Sequence, residues 1–379
     1  MQIVRRNPDA HYTLEGPRTV EEVLAALSIN PETVLVICDG ALVMRGHVLA
    51  DDAEVEIRSV ISGGAGPPVC RDCRGTAVIE VPRHRAAYCA EHFIDHVRSL
   101  VRAAIDRHAM CTYDDRILVA VSGGKDSLAL WDVLLDMGYR VDGLYLGLGI
   151  GGYSSRSEAV VRAFAERRGA TLQVVDLAEA YGYDVPDATR LRGRSACGVC
   201  GLSKRYVFNR VAHEGGYDVM ATGHNLDDEA ATLFGNLLHW QEGMLARQSP
   251  ALPAADGLAK KVKPLYRLSE REMAAYCVLV GLDYVVEECP LVAGNTVLRY
   301  KEALNTIEEH APGTKAGFLF GYLDRVRDER FADDRDVPTV VACAACGQPT
   351  TPGRGVQEAR CAFCRARGRI LQTVQAGQA

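Results

Sequence analysis

Val119-Ala-Val-Ser-Gly-Gly-Lys-Asp-Ser127 is the stretch whose reading decides the fold. Residues 116–121 are apolar enough for a buried strand, which ends in Ser122-Gly123-Gly124. From Lys125 onward Leu128, Leu130, Trp131, Leu134 and Leu135 recur at helical spacing. A strand, a glycine turn and a helix N-terminus together make an anion site. Glycine lets a ligand approach the backbone closely, free N–H groups point outward, and the helix dipole favours negative charge. Ser122 and Ser127 add hydroxyl donors, Lys125 adds a point charge, and Asp126 adds a carboxylate. The order differs from the Walker phosphate loop, which needs four residues between its glycines and ends in Gly-Lys-Ser/Thr.

Working outward, strands are expected over 141–146, 171–175 and 217–221. Helices are expected over 155–168, after Cys200 and from Leu226. Alternating β and α segments with continuous apolar strands predict a parallel sheet covered on both faces, an α/β body of Rossmann-like build. Ligands of such sheets bind at the carboxyl ends of the strands. Three stretches then surround one crevice: 122–127, the glycine-rich 146–153 that includes Gly147, and 222–229, which holds Gly223, His224, Asp227 and Asp228. Asp227 and Asp228 open a helix and read either as partners of its dipole or, beside bound phosphates, as a Mg²⁺ site, since that ion keeps several waters and takes one or two carboxylates plus phosphate oxygens.

Ser-Gly-Gly-Lys-Asp-Ser after a strand resembles the PP-loop of the ATP pyrophosphatases. The resemblance implies that ATP is cleaved between its α- and β-phosphates and that the substrate is adenylated.

The thirteen cysteines fall mainly in Cys-x-x-Cys pairs, in a chain that starts without an apolar signal region. That pattern favours metal over disulfides. Cys70-x-x-Cys73, fifteen residues, then Cys89-x-x-His92 is a tetrahedral zinc spacing. Cys343-x-x-Cys346, fourteen residues, then Cys361-x-x-Cys364 is a zinc-ribbon spacing. Two Zn²⁺ sites are therefore expected, each replacing an apolar core that its short module lacks. A further pair, Cys197 and Cys200, has no second pair near it. With Cys289, expected after a strand over 284–286, three thiolates suit a [4Fe–4S] cluster with one open iron. A redox or persulfide pair at Cys197 and Cys200 is the other reading. Cys38, Cys111 and Cys277 read as structural, and His96 and His108 as surface residues.

Hydrophobic content of 48% and charged content of 24% describe an ordinary globular protein. No apolar run approaches the ~20 residues that span a bilayer, so a cytoplasmic protein with no membrane partner is expected. The net charge of −6 is uneven: residues 1–66 hold five arginines and no lysine against ten acids. Local basic clusters then decide RNA binding, among them Arg365, Arg367 and Arg369 beside the last zinc ligands.

At the N-terminus two strands, a helix opened by the capping box Thr19-Val-Glu-Glu22, and further strands follow in β-grasp order. The segment looks like a ubiquitin-like sulfur carrier of the ThiS/MoaD/TtuB kind, in which a terminal Gly-Gly becomes a thiocarboxylate. Here Gly63-Gly64 is internal and runs on into Ala-Gly-Pro-Pro68. A thiocarboxylate at Gly64 thus requires a protease that cuts after it. Otherwise the domain is a permanent docking module, or the glycines are a linker.

Cys-x-x-Cys-Gly with Lys204 four residues on, Gly-His-Asn-Leu-Asp-Asp-Glu-Ala, Val262-Lys-Pro-Leu265 and Cys289 together resemble the tRNA 2-thiouridine synthetases of the TtuA and Ncs/Ctu types. The likeness extends from residue 67 to about 366. It implies cluster ligation by Cys197, Cys200 and Cys289, with Lys204 and one of Asp227 and Asp228 near the reacting uridine. It implies tRNA as substrate, a thiocarboxylated carrier with its adenylating activating enzyme as sulfur source, and a homodimer. The expected domains are a β-grasp carrier at 1–64, a linker at 65–69, a zinc finger and helix at 70–110, the PP-loop body at 111–330 and a zinc ribbon at 338–370. The expected target is the T-loop uridine 54. The alternatives are the wobble uridine 34 by the same chemistry, another PP-loop adenylator such as a cytidine thiolase or lysidine synthase, and a sulfur-transfer adaptor without activity.

Overall fold

The computed structural model describes residues 1–6, 10–29, 31, 34–59, 69–189, 195–255, 257–292, 296–330, 340–351 and 358–376. The glycine pair 63–64 and the connector 331–337 lie outside them.

The N-terminal strands are β1 (Gln2–Arg6), β2 (Ala10–Thr13), β3 (Val34–Cys38), β4 (Ala41–Val43) and β5 (Glu54–Ser59), with helix α1 (Val20–Ala26) between β2 and β3. They form one sheet in the order β2-β1-β5-β3-β4, with β1 and β5 parallel at its centre. That is the β-grasp arrangement. Val20, Val23 and Leu24 of α1 bury against Ile3, Val36, Val55 and Ile57. The Thr19 capping box is formed, its side chain accepting from the Glu22 N–H and the Glu22 carboxylate accepting from the Thr19 N–H.

The body is a six-stranded sheet of β6 (Arg116–Val121), β7 (Arg140–Gly147), β8 (Leu172–Asp176), β9 (Val219–Thr222), β10 (Ala251–Leu252) and β11 (Lys260–Val262). Its order is β8-β7-β6-β9-β11-β10, parallel except for the edge strand β10. The chain winds outward from β6 in both directions, so the carboxyl ends of β6 and β9 flank the crevice where ligands sit. The covering helices are α2 (Ala90–Arg107), α3 (Lys125–Asp136), α4 (Gly151–Arg168), α5 (Ala196–Glu214), α6 (Leu226–Leu238), α7 (Glu270–Leu279), α8 (Thr296–His310) and α9 (Thr314–Gly321). Trp131 and Leu134 of α3 are fully buried with Val119 of β6 in the main core.

The β-grasp unit docks onto this body. Leu35 of β3 belongs to the main core, and the Arg58 guanidinium lies 6.0 Å from the centroid of the Tyr284 ring. The first cysteine module adds a hairpin of Ile79–Val81 and Ala86–Tyr88. Its Arg83 reaches Glu272 of α7 at 2.7 Å in a buried ion pair. The last module pairs Val341–Ala342 with Pro349–Thr350 and continues into α10 (Ala362–Ala376). Its Phe363 stacks on Tyr206 of α5, centroids 3.8 Å apart.

Four local expectations are corrected. Helix α5 starts at Ala196, with Ser195 capping it through the Gly198 N–H, so Cys197 and Cys200 lie within its first turns and not ahead of it. Residues 284–286 are not a strand. That segment holds its place through the Val285 N–H, which donates to Gly123 O at 2.9 Å, with no ladder of its own. His96 is inside, stacked on Tyr88 at 4.7 Å and 3.4 Å from Glu272, and His108 contacts the Tyr266 hydroxyl at 2.9 Å. The expected zinc ribbon at 338–370 is extended by its helix, which runs on to Ala376.

Candidate functional site

The loop after β6 is folded by its own side chains. The Ser127 hydroxyl donates to Gly124 O at 3.0 Å and accepts from the Ser122 N–H at 3.1 Å, which closes the turn over the first residues of α3. Gly123 sits at φ +80°, and a Cβ there would lie 2.9 Å from Ser157 O of α4. Gly223, in the loop after β9, meets this turn from the other side. A Cβ on it would lie 2.8 Å from the Asp126 carbonyl carbon and 2.9 Å from the Ser127 nitrogen. Only glycine allows the two loops to touch backbone to backbone.

Between them opens a cleft of about 350 Å³. Ser122, Gly124, Asp126, Ser127, Gly223, His224 and Asp228 form its polar side, with Lys204 of α5 opposite. Tyr145, Leu146, Leu148 and Phe208 supply an apolar side. Gly147 is not among the lining residues; its α-carbon faces the Asp176 carboxylate across the sheet.

Charge in the cleft is organised by a chain of ion pairs. The Lys125 ammonium turns away from the cleft to Asp126 at 3.1 Å and Glu270 at 2.9 Å. Burial works against its charge, but those two carboxylates hold its pKa well above the ordinary lysine value. Lys301 of α8 bonds Asp228 at 2.6 Å and reaches Glu270 at 3.4 Å. Burial would raise Glu270, yet Lys125 and Lys301 draw it down to about 2. Asp126 is pushed up to about 6 by burial, opposed by Lys125 and assisted by the charges of Glu270 and Asp228. His224 stands exposed at the cleft, its Nδ1 2.8 Å from the Thr222 hydroxyl.

The two neighbouring aspartates are used differently. Asp228 lies half open on the cleft. Asp227 is 2% exposed: Oδ1 is 2.5 Å from the Lys315 ammonium, itself 3% exposed, and Oδ2 accepts the Glu270 N–H at 2.9 Å. Asp227 thus anchors α9 and caps α7, and both its oxygens are engaged. Glu270, Lys301 and Lys315 are absent from the sequence-level expectation. Their partners lie tens of residues away, and no local pattern marks them.

Among the described residues, the two outer Cys/His sets draw their ligand atoms within 4.8 Å of one another. Cys73 and Cys89 place their sulfurs 3.9 Å apart, and Cys346 and Cys361 theirs 3.8 Å apart. Tetrahedral coordination with Zn–S of about 2.3 Å gives an S···S edge of about 3.8 Å. Cys70 and Cys343 are each brought to about 6: burial raises them, and backbone N–H groups, including that of Cys361 at 3.2 Å from the Cys343 sulfur, overcome it. Both sets are suited to one thiophilic ion. Cys197, Cys200 and Cys289 are not drawn together in that way. The Cys197 thiol donates to Leu291 O at 3.5 Å, while Cys200 and Cys289 pack beside Tyr153 at the cleft edge. Burial raises the Cys200 thiol, opposed by the charge of Lys204. Three cysteine thiols are the donor chemistry of an iron–sulfur cluster.

Comparison with known proteins bears on this arrangement. Residues 94–291 match the family described as PP-loop domain, and residues 69–94 match the N-terminal LIM domain of the 2-thiouridine synthetase TtuA. A tRNA-5-methyluridine(54) 2-sulfurtransferase of Thermus thermophilus is 52% identical over 297 residues, 78% of this chain and 90% of the relative. One of the same name from Pyrococcus horikoshii is 42% identical over 297 residues, 78% of this chain and 92% of the relative. The solved structure of the U34-tRNA thiolase NcsA from Methanococcus maripaludis with its [4Fe-4S] cluster superposes with a TM-score of 0.62 at 25% identity. It covers 68% of this chain and 88% of that one. No helix among the described residues is long and apolar enough to cross a membrane.

Proposed function

Since the chain belongs to the TtuA-type family of PP-loop tRNA 2-thiouridine synthetases, we propose that it is an ATP-dependent tRNA uridine 2-sulfurtransferase acting on uridine 54. The observation that carries this reading is that Lys204 faces the PP-loop across one cleft, from the same helix that holds Cys197 and Cys200. Nucleotide activation and sulfur chemistry then share a single wall.

The N–H groups at the start of α3 and the Ser122 and Ser127 hydroxyls hold the phosphates. Asp126 and Asp228 would hold Mg²⁺ together with phosphate oxygens, and Asp227 serves as the anchor beneath them. The uridine O2 attacks the α-phosphorus, the α–β bridging bond breaks, and pyrophosphate leaves with the electron pair. Lys204 offsets the charge that develops on the attacked phosphate. Sulfide then bonds to C2, and the former O2 departs on AMP. Cys197, Cys200 and Cys289 would hold a [4Fe–4S] cluster, which would supply Lewis-acidic iron for handling sulfide. Two Zn²⁺ ions, on Cys70/Cys73/Cys89/His92 and on Cys343/Cys346/Cys361/Cys364, hold the flanking modules in shape.

The β-grasp unit supports a sulfur-carrier role, either as the donor itself after proteolysis behind Gly64 or as a docking mimic of a separate thiocarboxylated carrier with its own activating enzyme. A homodimer and a cytoplasmic setting complete the reading. Nucleoside mass spectrometry of bulk tRNA from cells with and without the gene tests it. Loss of 2-thioribothymidine is the expected result. Loss of a wobble 2-thiouridine moves the target to uridine 34, and unchanged thionucleosides overturn the assignment in favour of an inactive adaptor.

A further inference from the structure

A larger cleft, of about 950 Å³, lies between α5 and the C-terminal cysteine module. Helical geometry puts it behind the catalytic one. Lys204 and Phe208 of α5 line the catalytic cleft, whereas Leu202, Arg205, Tyr206 and Asn209 line this one. At 100° per residue the two sets are centred about 130° apart around the same helix. The joint at its floor is built: Phe363 stacks on Tyr206 with the rings 4° from parallel. The Asn209 side-chain amide donates to Gly257 O at 3.0 Å and to the Gln348 side-chain oxygen at 3.2 Å.

The cleft is charged with one sign. Arg205, Arg247, Lys261 and Arg327 line it, and no described lining residue is Asp or Glu. In a chain of net charge −6 this runs against composition. Lys261 is half-buried beside Arg205, an arrangement in which burial first and then the like charge disfavour its ammonium. Arg205, Arg247 and Lys261 share this lining with no described Asp or Glu, which calls for an anionic occupant. Leu252, Pro253 and Pro349 share the lining of a cleft of about 950 Å³, far larger than one small anion. Several cations in a space of that size suit a run of phosphates better than a single one.

We propose that this cleft seats the sugar–phosphate backbone of the substrate RNA, an inference that rests on the tRNA-thiolation reading above. The backbone lies on the Arg205 side of α5. The target nucleotide, turned out of its stack, crosses about one helix diameter, roughly 10 Å, to reach the Lys204 side. The sequence-level expectation placed the RNA grip on Arg365, Arg367 and Arg369. The structure engages Arg367 with Tyr181 O at 2.7 Å and turns Arg365 to the Arg360 carbonyl.

The test is equilibrium binding of an unmodified tRNA transcript to the full-length protein across a salt series, with steady-state thiolation of the same transcript. Arg205 and Arg247 are both exposed, so Arg205→Gln/Arg247→Gln changes charge with little demand on folding. Expected are a loss of about tenfold or more in tRNA affinity and a log–log salt slope shallower by about 0.9 for each phosphate contact removed. The KM for tRNA should rise in step, with kcat and ATP affinity unchanged, and Arg205→Lys/Arg247→Lys should restore binding. Wild-type Kd and slope in the glutamine variant, while the wild type thiolates the transcript, would overturn the placement and leave the function standing. So would unchanged tRNA binding together with lost capture of a purified sulfur-carrier protein. A wild type that neither binds nor thiolates the transcript would overturn both.

Discussion

Asp227 and Asp228 are adjacent carboxylates at one helix start, and removing each should have opposite consequences. Asp227→Ala deletes the carboxylate paired with Lys315 inside the protein and strips the Glu270 N–H of its acceptor. Lys315 keeps only the Asn305 oxygen, at 2.7 Å. Leaving one member of a buried pair uncompensated costs about 3–5 kcal/mol, a large share of the ~5–15 kcal/mol typical of a whole domain. At about 2–4 °C per kcal/mol for a domain of this size, Tm falls by about 6–20 °C. Asp227→Ala/Lys315→Met removes both charges and should recover most of the loss. Asp228→Ala loses a half-exposed capping partner and should cost only about 0.5–2 kcal/mol, yet it should abolish Mg²⁺-dependent ATP binding. Calorimetric melts and titration with MgATP read the two effects separately. If Asp227→Ala melted with the wild type, or lost MgATP affinity at unchanged stability, the division of labour drawn here would be wrong.

Gly223→Ala forces a methyl against the PP-loop backbone, a strain of about 1–3 kcal/mol; ATP affinity should fall by about 5- to 150-fold, read by isothermal titration. Asp126 carries a native pKa of about 6, above its unfolded value, so the native state holds the extra proton. Its contribution to stability is therefore fully present below about pH 4 and is lost as pH rises toward 6. Asp126→Asn should remove that part of the pH dependence in urea titrations run at closely spaced pH values. Cys289→Ala should abolish the iron–sulfur absorbance of the reconstituted protein and leave two zinc ions per chain by metal analysis. Cys361→Ser should remove one zinc and spare the iron; a variant that lost both metals together would show the sites to be coupled.

What could be read from the sequence follows a physical divide. Residues 116–127 carry their own instructions, since a continuous apolar strand, a glycine turn and a helix start are local properties. Both zinc-type sets were legible because the ligands come in short fixed spacings. The segment 284–286 has the residues of a strand but finds no strand beside it, only the Gly123 carbonyl, and neighbour supply cannot be read from composition. His96 shows the same limit: its burial depends on Tyr88 and on Glu272 far along the chain. The separate duties of Asp227 and Asp228 depend on Lys315 and Lys301, which no motif links to them.

Helix α5 carries the Cys197 and Cys200 thiols, the Lys204 ammonium and the Arg205 guanidinium on one unbroken rod. From Cys200 to Lys204 is about 6 Å along the axis, and from Lys204 to Arg205 is about 100° around it. The rod is therefore a gauge bar that sets both the span from sulfur to substrate and the angle between the two faces. Deleting one residue between Cys200 and Lys204 would rotate everything downstream by about 100°. Arg205 would then stand where Lys204 stands, and Tyr206 where Arg205 stands. Substitutions along this helix can come one at a time, but on the proposed mechanism its residue count between the thiols and the lysine is a length that the reaction itself measures.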